Sequence, residues 1–152
     1  MAKKSAGILL FRKQRGELFV FLVHPGGPFW KNKDDGAWSV PKGEIIEDED
    51  PLERARTEFS EETGKEVTGN FIPLKAITQK GGKTVYCWAV EGEIETAGLS
   101  SNTIMIAWPP RSGKMMEIPE VDRWEWFSAE EARIKINPAQ CAFIDEIEES
   151  IQ

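Results

Sequence analysis

The chain has 152 residues, and 26 acidic against 19 basic side chains leave a formal net charge of −7. That length supports one domain, residues 1–152, with a sizeable core, and a composition 40% hydrophobic and 30% charged excludes wholesale disorder. The acidic balance argues against non-specific binding of nucleic acid, which needs a basic footprint, but it is compatible with an anionic substrate if metal ions stand between that substrate and the protein carboxylates.

In chain order, Ser5–Lys13 and Glu17–His24 are rich in Ile, Leu, Phe and Val and read as strands joined by the turn Gln14-Arg15-Gly16. Pro25-Gly26-Gly27-Pro28 breaks the pattern, and a loop over Phe29–Gly36 carries two aromatics, Lys31 and Lys33. Ala37–Val40 is a short strand candidate closed by Pro41-Lys42-Gly43. The strongest helix signal follows: Asp50 as N-cap, Pro51 at the first helical position, Glu53 three residues after the cap and Gly64 as terminator predict a helix over 51–63. Phe71–Gln79 and Thr84–Ile94 read as strands around Gly81-Gly82, and Thr103–Trp108 as a weaker one before the loop Pro109–Gly113. Val121–Phe127 alternates as a strand, with Trp124 and Trp126 on a packed face. Ser128 with Glu131 starts a short helix. Asn137-Pro138-Ala139-Gln140 opens the last one, whose apolar stripe is Phe143, Ile144, Ile147 and Ile151. This order predicts an α/β (α+β) domain, a mixed sheet held between helices.

The remaining composition is restrictive. Leu18–Val23, the longest strongly apolar run, is far too short for a membrane span, and Met1–Ser5 lacks the apolar stretch of a secretory signal. Cys87 and Cys141 share no short spacing, so a disulfide framework is not expected and the cytoplasm is the expected location. With His24 as the only histidine, a four-ligand zinc site cannot be assembled and a Ser-His-Asp triad is unpromising. His24 reads as an ordinary hydrogen-bonded residue.

Carboxylates crowd residues 43–65. On the predicted helix Glu58, Glu61 and Glu62 stand at i, i+3 and i+4 and share a face, beside an apolar face of Leu52, Ala55 and Phe59. Three like charges on one ridge repel, and a hard divalent cation, which prefers carboxylate oxygens, would offset that repulsion. A solvated acidic face is the alternative that spacing alone leaves open.

The residues before the helix favour the metal. Gly43, Glu49, Glu58, Phe59, Glu61, Glu62 and Gly64 stand at the spacing of the Nudix box, and the segment resembles that family. Two positions depart: Thr57 replaces the family arginine and Lys65 an apolar residue. The resemblance implies the Nudix fold, Mg²⁺ or Mn²⁺ as cofactor, and hydrolysis of a nucleoside diphosphate linked to another group. It also implies Glu58 and Glu62 as leading metal ligands, Glu61 as a further ligand or source of negative field, Glu49 in support, and the Gly43 carbonyl facing the metal. Glu58 and Glu61 are thereby catalytic candidates. Arg54, at i−4 from Glu58, is placed to pair with it where Thr57 cannot.

Trp38-Ser39-Val40-Pro41-Lys42-Gly43 resembles the family branches acting on dinucleoside polyphosphates, diphosphoinositols or capped RNA. The acidic surface disfavours RNA, and the scarcity of Lys/Arg disfavours diphosphoinositols. The expected substrate is therefore a small-molecule nucleotide, a dinucleoside polyphosphate such as diadenosine tetraphosphate. Nucleoside triphosphates come second, and a non-catalytic nucleotide-binding module is the competing class. Lys42 is expected to meet a phosphate, with Phe29, Trp30 and Tyr86 available to stack on a base. Glu117 and Glu120 are the candidates for an acid-base group outside the box, with Glu120 favoured because it adjoins the Val121 strand.

Overall fold

The structure, a computed structural model, describes residues 3–151. The first two strands, β1 (Lys4–Gln14) and β2 (Glu17–Pro25), form a hairpin in which Gln14 pairs with Glu17. Its two central residues, Arg15 and Gly16, both have positive φ, the geometry that matches the right-handed twist of the flanking strands. Strand β3 (Lys42–Glu44) precedes helix α1 (Pro51–Thr63). Then come β4 (Ile72–Pro73), β5 (Ile77–Thr78), β6 (Thr84–Glu91), β7 (Thr103–Ala107), β8 (Met115–Pro119) and β9 (Val121–Ser128). Helix α2 (Ala129–Lys135), a 3₁₀ turn over Pro138–Gln140 and helix α3 (Cys141–Ser150) complete the chain.

Strands β4, β6, β1, β2 and β9 lie side by side in that order, with β3 added to β1 and β5 to β6. Only β1 and β6 run parallel; the other pairs are antiparallel, so the sheet is mixed as expected. β1 is central and buried on both faces, which is why it reads as a continuous apolar run rather than an alternation. Its Ile8 and Leu10 pack with Phe21, Ala55 and Phe59 beneath α1. Leu9 and Phe11 face the other way, against Trp38, Phe143, Ile144 and Ile147 under α2 and α3. No helix among the described residues is long and apolar enough to cross a membrane.

Several predicted boundaries are corrected. Ala37–Val40 is no strand: only Ser39 bridges Val23 and only Trp38 bridges Ile136, and at Pro41, whose carbonyl accepts from Ile8 N, the chain passes to β1 instead. Phe71–Gln79 splits into β4 and β5, because past Leu74, whose N–H still donates to Cys87 O, the chain leaves β6 and Lys75 N donates to the Glu146 side chain instead. Strand β6 stops at Glu91, short of Ile94. The loop Pro109–Gly113 is the tip of a hairpin whose second strand, β8, the sequence concealed, since Met-Met-Glu-Ile-Pro has poor strand propensity. The last helix begins at Cys141, after the 3₁₀ turn that Asn137 caps, and Ile151 follows its end while still packing on the core.

Candidate active site

Helix α1 begins and ends as its sequence dictates. The Asp50 side chain accepts from Glu53 N at 3.0 Å, and Gly64, at φ 78°, donates its N–H to Ser60 O at 2.8 Å. The apolar face seats Ala55 and Phe59 in the core and thereby sinks the neighbouring ridge as well: Glu58 and Glu62 are buried, at 7% and 4% exposure. Thr57 points to solvent.

The third carboxylate arrives from the far end of the sheet. Asn102 N donates to Glu61 O, Glu120 N donates to Asn102 O, and Gly26 N donates to Glu120 O. The Trp124 indole N–H donates to Glu62 O at 2.6 Å. This backbone chain pins the start of β9 over the end of α1. Glu58, Glu62 and Glu120 then each offer one oxygen within 4.8 Å of the others. Glu117 is exposed on β8, on the face opposite Ile118.

Three features fit this cluster to a divalent cation. Glu62 Oε2 is buried with no hydrogen-bond partner among the described residues. Burial holds the carboxyl pKa values of Glu58, Glu62 and Glu120 above their ordinary range. Mutual repulsion adds to this, from Glu120 and Glu58 upon Glu62 and from Glu61 upon Glu58 and Glu120. Gly43, on β3, lies so close that a Cβ there would stand 2.0 Å from Glu58 Oε1. An all-oxygen acidic site with one orphaned oxygen suits Mg²⁺ or Mn²⁺.

Glu61 is not one of the three closest carboxylates, although its charge acts on two of them. Glu49 turns to Arg54, which donates to both its oxygens and, through Nη1, to Glu58 Oε2 at 2.8 Å. This guanidinium holds the Glu49 carboxyl below its usual range and clamps Glu58 from within the same helix.

A cavity of about 660 Å³ opens beside the cluster and reaches Glu62 and Glu120. Lys42 and Lys83 face each other on its wall, and burial together with the Lys83 charge lowers the Lys42 pKa to about 8. Phe29 and Trp30 line the cavity edge-to-face at 4.9 Å, with Lys33 Nζ 3.4 Å from the Phe29 ring centre. Ile104, Ile106 and Ile118 of the β7–β8 hairpin form an apolar wall. Tyr86, on β6, is not among the lining residues.

His24 is fully buried, its ring nitrogens 2.7 Å from Asp122 Oδ1 and from Lys33 O, and it ties down the loop that carries Phe29 and Trp30. Lys83, Gln79, Gln140 and the isoleucine wall carry no motif that marks them as site residues in the sequence. Lys83 follows the Gly81-Gly82 turn directly, the one local signal that places a cation at this edge.

Comparison with known proteins agrees with this architecture. A family model described as the NUDIX domain matches residues 1–147. The chain belongs to the Nudix family, hydrolases acting on phosphoanhydrides. No curated protein matches the sequence. Among solved structures, the binary complex of a C. elegans Ap4A hydrolase superposes with a TM-score of 0.64 at 21% identity, covering 99% of this chain and 98% of that one. The NUDIX domain of Shewanella oneidensis NrtR, complexed with ADP ribose, gives 0.67 at 17% identity over 100% and 90%. A MutT protein from Methanosarcina mazei gives 0.62 at 18% over 99% and 96%. At these identities the likeness concerns the fold.

Proposed function

We propose that this chain, as one domain, hydrolyses a phosphoanhydride bond of a dinucleoside polyphosphate, with diadenosine tetraphosphate as the type compound and Mg²⁺ or Mn²⁺ as cofactor. The observation that carries the proposal is the meeting of opposite charges on one cavity: a buried triad of carboxylates adjoins a pair of facing lysines. Lysine alone would bind an anion without activating it, and carboxylates alone would repel it.

Glu58, Glu62 and Glu120 would hold the cation, with Gly43 giving Glu58 the room it needs and Glu49 acting in support through Arg54. Bound there, the ion supplies positive charge to the polyphosphate and lowers the pKa of a water. Lys42 and Lys83 receive phosphate oxygens, and Phe29 and Trp30 lie along the apolar part of the nucleotide. Glu120 is the proposed acceptor of the attacking water's proton, because its carboxylate lies both in the cluster and on the cavity wall. Glu61 adds negative field at Glu58 and Glu120 and is the second acidic group with a catalytic part. The neighbouring Ap4A hydrolase is consistent with this substrate class. The two cysteines are free, in keeping with a cytoplasmic protein.

The test is chromatographic separation of the nucleotide products formed from diadenosine and diguanosine tetraphosphate, nucleoside triphosphates and ADP-ribose, with and without Mg²⁺ or Mn²⁺. Metal-dependent turnover of a dinucleoside tetraphosphate above the other classes is expected. Turnover confined to another compound, or none, refutes the proposal.

A further inference from the structure

One polar side chain on the cavity wall has its hydrogen-bonding sense fixed by the backbone. Val40 N, an unambiguous donor, gives its hydrogen to Gln140 Oε1 at 3.0 Å. Gln140 is fully buried, so its amide cannot turn over without breaking that bond. Its Nε2 therefore faces the other way and donates to Ser39 Oγ at 3.1 Å and to Gln79 Oε1 at 2.9 Å. Ser39 Oγ can accept because its own hydrogen goes to Val40 O at 2.7 Å. The relay leaves Gln79 with its oxygen occupied and its Nε2 without a partner among the described residues. Gln79 is half-buried and lines the same cavity as the isoleucines of the β7–β8 hairpin.

We propose that Gln79 reads the edge of the substrate base as a one-way donor and so selects a keto base, guanine or uracil, over adenine or cytosine. The inference rests on the reading of this cavity as a nucleotide site and changes the expected base from the adenine of the type compound. Guanine presents O6 beside N7, two adjacent acceptors, and a uracil-type base presents O4; adenine shares the N7 acceptor, but where guanine and uracil carry the keto oxygen, adenine and cytosine carry an amino group whose hydrogens oppose a donor, so the selection is made at that position. An amide with both orientations open would accept either kind. Here a flip would set Gln79 Nε2 against Gln140 Nε2, hydrogen against hydrogen. The lysines of the same cavity are committed by charge to phosphate and do not discriminate bases.

Nucleoside monophosphates contain no anhydride bond, so binding can be measured independently of hydrolysis. Calorimetric titration of the full chain with GMP, UMP, AMP and CMP is expected to give GMP about tenfold tighter than AMP, and UMP tighter than CMP. Gln79→Met keeps the length, removes the donor and brings each ratio to within about twofold. Gln79→Glu keeps one oxygen for Gln140, turns an acceptor into the cavity and favours AMP. Both changes lie at a half-exposed turn, and unfolding curves verify that the variants are folded. A wild-type ratio within about twofold, a ratio unmoved by Gln79→Met, or no binding of any monophosphate would overturn the proposal. Failure to hydrolyse any nucleotide would instead count against the hydrolase reading, while the monophosphate ratio still decides this one.

Discussion

Replacing Glu62 by Gln removes one of three buried charges while preserving shape. At a separation of 4.8 Å, the upper bound among the three clustered carboxylate oxygens, two carboxylates at an effective dielectric of about 20 repel by about 3–4 kcal/mol. Glu62 faces two such partners. Attraction from Lys42 and uptake of protons offset most of this, so the change should stabilise the metal-free protein by about 1–2 kcal/mol, or about 3–6 °C in Tm for a chain of this size. The pH dependence has a definite sign. A carboxyl whose folded pKa is raised binds more protons in the folded than in the unfolded state between the two pKa values, so stability falls as pH rises through that window. Thermal unfolding in chelator should therefore show wild type losing stability from mildly acidic toward neutral pH, with a flatter profile for Glu62→Gln. Added Mg²⁺ or Mn²⁺ should raise the wild-type Tm and move the variant far less. A variant that melts below wild type in chelator and responds equally to metal would refute the reasoning.

Gly43→Ala places a Cβ 2.0 Å from Glu58 Oε1; metal-dependent turnover should fall by about 10–100-fold with the fold kept, as circular dichroism beside a rate assay would show. Arg54→Met frees Glu49 and leaves Glu58 without its clamp, so the Mg²⁺ concentration for half-maximal turnover should rise about tenfold or more. Thr57→Arg should change it by less than about twofold, because that side chain faces solvent. Lys42 loses its proton near pH 8, since burial and Lys83 depress its pKa, so kcat/KM should decline above that pH. Lys42→Met should lower kcat/KM below pH 8 and erase the alkaline limb.

The residues that carry local signals were legible in the sequence. The ends of α1 followed from Asp50, Pro51 and Gly64, and the Arg54 pairing from the i, i+4 spacing on that helix. The hidden parts depend on long-range contacts. That Glu120 rather than Glu61 closes up with Glu58 and Glu62 is decided by a backbone relay through Asn102 and Gly26, which joins segments far apart in the chain. Tyr86 looked able to stack on a base because it is aromatic, but the position of β6 in the sheet keeps it off the cavity wall. Gln140 and Gln79 read as ordinary polar residues, and their partnership exists only once the 3₁₀ turn Pro138–Gln140 meets the segment after β5.

The most direct test of the site is calorimetric titration of Mn²⁺ into wild type and into Glu58→Gln, Glu62→Gln, Glu120→Gln and Glu61→Gln. The account predicts one binding process in wild type, weakened about tenfold or more by each of the first three changes and by less than about threefold in Glu61→Gln. No binding by wild type, or a loss in Glu61→Gln as great as in Glu62→Gln with Glu120→Gln unaffected, would contradict it.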